Sequence, residues 1–141
     1  MDEARLKLNQ NSITHKNYTD NEVIYGNFYF ELNNQCYPDE SWDDYIYRAL
    51  LTWTYNLIHY GSGCLYFMDG PYEVHYNINR DKIIFYIEEF GEFKCPLDTF
   101  ANDLASCLEV LQEYMKEQKL DKNNITNLST LLCQLKGKYL L

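Results

Sequence analysis

The stretch from Val23 to Tyr60 leaves the chain the fewest ways to fold. It opens with strand-like alternation, with Phe28, Phe30 and Leu32 on one face and Tyr29 and Glu31 on the other. A polar, acidic bend, NNQCYPDES, follows, and Ser41 is a natural helix N-cap with Asp44 placed to close a capping box. Beyond it Trp42, Ile46, Ala49, Leu50, Trp53, Leu57 and Tyr60 recur at helical spacing until Gly61 ends the run. A strand that feeds an amphipathic helix through an acidic connector predicts a packed core with a charged surface beside it.

The remaining elements are predicted around that unit. Residues 1–22 are polar, with a weak helical hint from Ala4, Leu6 and Leu8 before NQNSITHKNYTDN, which reads as irregular or as a mobile lead-in, and a single α+β domain is expected over 23–141. After Gly61 a short strand is predicted at Cys64–Met68, and Asp69-Gly70-Pro71 is a turn signal. Tyr72, Val74, Tyr76 and Ile78 alternate with Glu73, His75 and Asn77, the pattern of a strand with one buried face. Asn79-Arg80-Asp81 makes a second turn, and the returning strand puts Ile83, Phe85 and Ile87 on one side. Gly91 breaks it, and Glu92–Cys95 adds a last short strand. Tight turns between short strands require antiparallel pairing, because a parallel connection needs a dozen or more residues. Asp98 is the expected N-cap of a helix through Leu104, Leu108, Leu111 and Met115; LDKNN reads as a linker before a final helix ending near Tyr139. The fold expected is α+β: an antiparallel sheet of about four to five short strands packed on one face by about two to three helices.

The formal charge of −9 narrows the function classes. Nucleic-acid binding demands clustered Lys and Arg, and adsorption to anionic membranes demands the same, so neither partner is expected. A basic protein would be steered toward such a surface, although excess acid also keeps a small protein soluble. The 14 tyrosines suit half-buried sheet faces and interfaces equally. No apolar segment approaches the roughly 20 residues that span a bilayer, and MDEARLKLNQ lacks the features of a signal peptide. The cysteines Cys36, Cys64, Cys95, Cys107 and Cys133 form no C-x-x-C pair and are odd in number. A reducing cytoplasm is therefore the expected compartment.

Catalytic patterns are weak. His15, His59 and His75 are isolated in sequence, in no metal-binding array, and no metal or cofactor is expected. Cys36 lies in a bend, where a reactive thiol could sit, but no nucleophile elbow or basic neighbour accompanies it. Cys107 and Cys133 fall on apolar helix faces and read as core. Asp39, Glu40, Asp43 and Asp44 cluster where a helix begins, which is explained either by capping and solvation or by a partner-facing acidic patch. Glu88, Glu89 and Glu92 form a second acidic group at a strand end. Binding is what remains by elimination. The residues expected to carry it are the acids Asp39, Glu40, Asp43, Asp44, Glu88 and Glu89, with Tyr37 and Tyr47 as desolvated anchors. A non-catalytic adaptor with an acidic surface, or a small enzyme using Cys36 or the carboxylates, would leave a similar trace.

The segment FYFELNNQCYPDESWDDYI, continuing into LLTWTYNLI, resembles the small immunity proteins of bacterial polymorphic-toxin and contact-dependent growth inhibition systems. One such group pairs an aromatic strand, a Gln-Cys-aromatic-Pro bend and a Trp-x-Asp helix start with a Trp-rich helix. Gln35, Cys36, Tyr37, Pro38, Trp42, Asp44 and Trp53 match those positions. The resemblance implies a cytoplasmic, non-enzymatic protein that blocks one cognate toxin, often a nuclease, by stoichiometric binding. It extends loosely through the strands to the helix at Asp98–Met115, and does not reach the first 22 residues or the final helix.

Overall fold

The computed structural model describes residues 3–19 and 21–140. Its first two strands, β1 (Ala4–Tyr18) and β2 (Asn21–Leu32), form one long antiparallel pair. The register shifts between Asn9 and Thr14. There Ser12 spans the irregularity, its hydroxyl donating to the Asn9 carbonyl at 2.6 Å and accepting from the Asn27 N–H at 2.8 Å. The segment read from the sequence as an irregular lead-in is thus a strand, of which residues 1, 2 and 20 lie outside the described residues. Ala4, Leu6 and Leu8, which hinted at a helix, are alternate positions on one face of this strand; beyond Leu8 the polar residues gave no alternation, yet β2 supplies a full-length edge to pair with. Residue 141 also lies outside the described residues.

Two further short strands, β3 (Gln35–Tyr37) and β4 (Asp43–Asp44), pair with β2 and complete a four-stranded sheet. A second sheet is an antiparallel meander of β5 (Ser62–Tyr66), β6 (Glu73–Asn79), β7 (Lys82–Ile87) and β8 (Gly91–Pro96). The α+β class is as the periodicities predict, with the difference that the described residues form two four-stranded sheets where one sheet was expected. A parallel bridge between Glu3 and Lys94 brings the outer edge of β1 against β8.

The helices are α1 (Ile46–His59), α2 (Leu97–Glu117) and α3 (Lys122–Tyr139). α1 packs on β2 and β5, α2 packs on β1, β7 and β8, and α3 rests on α1 and α2. Gly26 of β2 allows the start of α1 to close in, because a Cβ there would lie 2.8 Å from Ile46 Cδ1. Where the layers meet, the core is aromatic. The Phe30 ring lies 5.7 Å from Trp53, 5.2 Å from Phe85 and 6.1 Å from Phe100, so one β2 side chain touches α1, α2 and the second sheet. Each such ring, buried, contributes about 1.5–3 kcal/mol by leaving water, with about 0.5–1.5 kcal/mol more from ring geometry. A polar tie crosses the same layers: Asp103 of α2 accepts two bonds from the Arg5 guanidinium, at 2.9 and 2.8 Å, and one from the Leu6 N–H at 3.1 Å. Among the described residues no helix is long and apolar enough to cross a membrane.

Candidate functional site

The acidic bend divides into two kinds of carboxylate. Asp39, Glu40 and Asp43 are exposed, and the Asp39 side chain turns back to accept from the Ser41 N–H and hydroxyl at 2.7 and 2.8 Å. Asp44 is 1 % exposed. The helix starts at Ile46, after Tyr45 and without a side-chain cap, so Ser41 and Asp44 do not form the expected capping box. Asp44 instead sits in β4 and accepts from Trp42 Nε1 at 2.9 Å, from the Tyr45 N–H at 2.6 Å and from the Met68 N–H at 2.9 Å. Burial raises its pKa, and these donors pull partly against that shift. Asp44 is therefore a fastener between the bend and the segment after β5, and its expected place on a partner-facing surface is corrected. The local pattern misled because an acid just before a helix start looks the same whether it caps or is buried.

Tyr37 is likewise internal, at 4 % exposure, and cannot be the surface anchor expected of it. Its hydroxyl donates to the Glu73 carbonyl at 3.3 Å and accepts from the Glu73 N–H at 3.2 Å. Its ring meets Tyr72 at 5.7 Å, Phe90 at 5.8 Å and Phe67 at 6.1 Å. Burial first, then the charges of Glu89 and Glu73, push its pKa up. Tyr37 thus bolts the end of β3, where the acidic bend begins, onto β6 and the turn after β7.

That bolt brings the start of the acidic bend beside the second acidic group of the sequence. A cleft of about 310 Å³ is lined by Tyr37, Glu73, His75, Tyr86, Glu88 and Glu89, so Glu88 and Glu89 adjoin the residue from which the bend departs. Sequence reasoning missed Glu73, His75 and Tyr86 here. Their outward positions were legible from the alternation of β6 and β7, but their grouping depends on the strand register, which opposes His75 to both Cys64 and Tyr86. Tyr47 lies elsewhere, half-buried in a cleft of about 420 Å³ with Glu22, Tyr45 and Arg48, its hydroxyl donating to the Asn124 carbonyl at 3.0 Å.

The thiols of Cys36 and Cys64 are both held toward the protonated form. Burial and the neighbouring acids Glu40 and Glu31 raise the pKa of Cys36, which favours the protonated, unreactive form. Burial and a hydrogen bond to Glu73 push Cys64 up to about 11. Cys107 is buried in α2 as expected, whereas Cys133 is exposed, because only Leu128, Leu132 and Leu135 of α3 are fully buried. Of the residues that carry the resemblance, Tyr37, Asp44 and, in α1, Trp53 are buried, Cys36, Pro38 and Trp42 are half-buried, with Trp42 meeting Tyr72 at 4.9 Å, and Gln35 is exposed. No known protein family, curated protein or solved structure matches this chain.

Proposed function

We propose that this chain is an immunity-type protein: it neutralises a cognate secreted toxin, a nuclease in the simplest case, by stoichiometric binding through its acidic face, without catalysis of its own. One observation carries the reading. Asp39, Glu40, Asp43, Glu88 and Glu89 are all exposed, and among the described residues none of them is in an ion pair. Charges left without a cation on a folded surface attract a basic partner, and a catalytic cleft built to hold phosphates is such a partner. Tyr86 and Phe90, both exposed beside Glu88 and Glu89, offer the ring area that desolvated contacts use. The protein would act in the cytoplasm, a reducing compartment suited to its free cysteines.

The test is co-expression with the toxin-like C-terminal domain of a secreted protein encoded beside this chain. A one-to-one complex is expected. The variants D39K/E40K/D43K and E88K/E89K should each weaken it by at least about tenfold, or about 1.4 kcal/mol. Failure to form a complex, or full affinity in both variants, would overturn the proposal.

A further inference from the structure

The outer face of the second sheet carries a group of side chains that the acidic-surface reading does not use. Cys64 of β5 stands directly opposite His75 of β6, and Glu73 precedes His75 by one strand repeat, so all project from the same face. Cys64 Sγ lies 3.3 Å from Glu73 Oε2, and His75 Nε2 lies 3.5 Å from Glu73 Oε1. The sulfur, the imidazole nitrogen and the carboxylate oxygen all fall within 4.8 Å of one another.

We propose that Cys64, Glu73 and His75 form a zinc-binding site on the exposed face of the β5–β6 pair. Zinc bonds of about 2.0–2.3 Å arranged tetrahedrally separate neighbouring ligand atoms by about 3.3–3.8 Å. Cys64 and His75 each stand near that spacing from Glu73, through its two different carboxylate oxygens, and all three ligand atoms lie within 4.8 Å, so side-chain rotations would close the site around an ion. The donor set selects the metal. A thiolate and an imidazole suit zinc and are poor ligands for magnesium or calcium, which prefer oxygen. With ligands on paired strands, the backbone register holds the donors in place before the ion arrives. Binding forms bonds from zinc to sulfur, nitrogen and oxygen and releases the Cys64 thiol proton to solvent, with no change of oxidation state. Protein ligands numbering three leave a tetrahedral position for water. Glu88, which lines the same cleft as Glu73 and His75, is a candidate for a further protein ligand. The site does not depend on the toxin-binding reading, since its ligands come from this chain alone.

The experiment uses the full chain, reduced, stripped with a chelator and titrated first with Co²⁺ and then with Zn²⁺. Cobalt should saturate at a single equivalent with a thiolate-to-metal charge-transfer band in the near ultraviolet, and zinc should displace it. Cys64→Ser should abolish the band, and Glu73→Gln and His75→Ala should each weaken zinc binding by about 10- to 100-fold. Cys36→Ser and Cys133→Ser should leave both readouts unchanged. Circular dichroism confirms that each variant is folded, which is expected because the ligands are on the solvent face. Zinc should also raise the melting temperature of the wild type and not of the Cys64→Ser variant. A band that survives Cys64→Ser, a band lost in Cys133→Ser, or no saturable binding would each overturn the site.

Discussion

Removing the Asp44 carboxylate would strand the indole N–H of Trp42 and the backbone N–H groups of Tyr45 and Met68 in a buried place. Each unsatisfied buried donor costs about 1–3 kcal/mol. Asp44→Ala is therefore expected to lower stability by at least about 3 kcal/mol, while exposed Asp43→Ala stays within about 0.5 kcal/mol, as read from urea unfolding. The same residue sets a pH dependence. Because burial raises its pKa above the ordinary value of 3.8, the folded state holds the proton more tightly than the unfolded chain does. That contribution is complete below 3.8 and is lost as pH rises through the raised folded value. The stability of the wild type relative to Asp44→Asn should accordingly fall as pH climbs across this window; a flat or rising difference would contradict the assignment. Sequence alone reached the bend and its acids but could not separate Asp44 from Asp43. The third donor, Met68, comes from beyond β5, and no local pattern contains it.

At the level of elements, α3 begins with a cap that the sequence reading assigned to a linker. The Asp121 carboxylate accepts from the N–H groups of Asn123 and Asn124 at 2.8 and 3.2 Å. Asp121→Ala should cost about 1 kcal/mol in chemical unfolding, and Asp121→Asn or Asp121→Ser should recover most of it. The strands with one wet and one dry face were legible, since alternation in β2, β6 and β7 follows directly from that division. β1 was not, because beyond Leu8 its side chains are nearly all polar and its place is fixed by its partner strand and the Ser12 crossing. The grouping of Cys64 with Glu73 and His75 was hidden for a related reason: cross-strand neighbours are set by register, and register is a property of the pair. Both acidic groups could be read from the chain, but the approach of Tyr37 to Glu88 and Glu89 could not, because it follows from the bonds between Tyr37 and Glu73 that join β3 to the second sheet.

For the whole molecule, the net charge of −9 and the unpaired exposed acids predict how a basic toxin domain would be captured. Raising ionic strength to about 1 M, where the screening length is about 3 Å, should slow association by at least about tenfold. Dissociation should change far less, and stopped-flow measurements over a salt series separate the two. An association rate indifferent to salt would remove electrostatic steering from the account. The bolt at Tyr37 has a final consequence. In the complex proposed above, a face clamped from behind by rings and backbone bonds would give up little freedom on docking, so more of each contact would appear as affinity. The same stiffness would prevent it from remoulding around an unfamiliar toxin. New pairings would then arise by exchanging individual exposed side chains on a fixed frame, and discrimination between toxins would rest on where those charges fall.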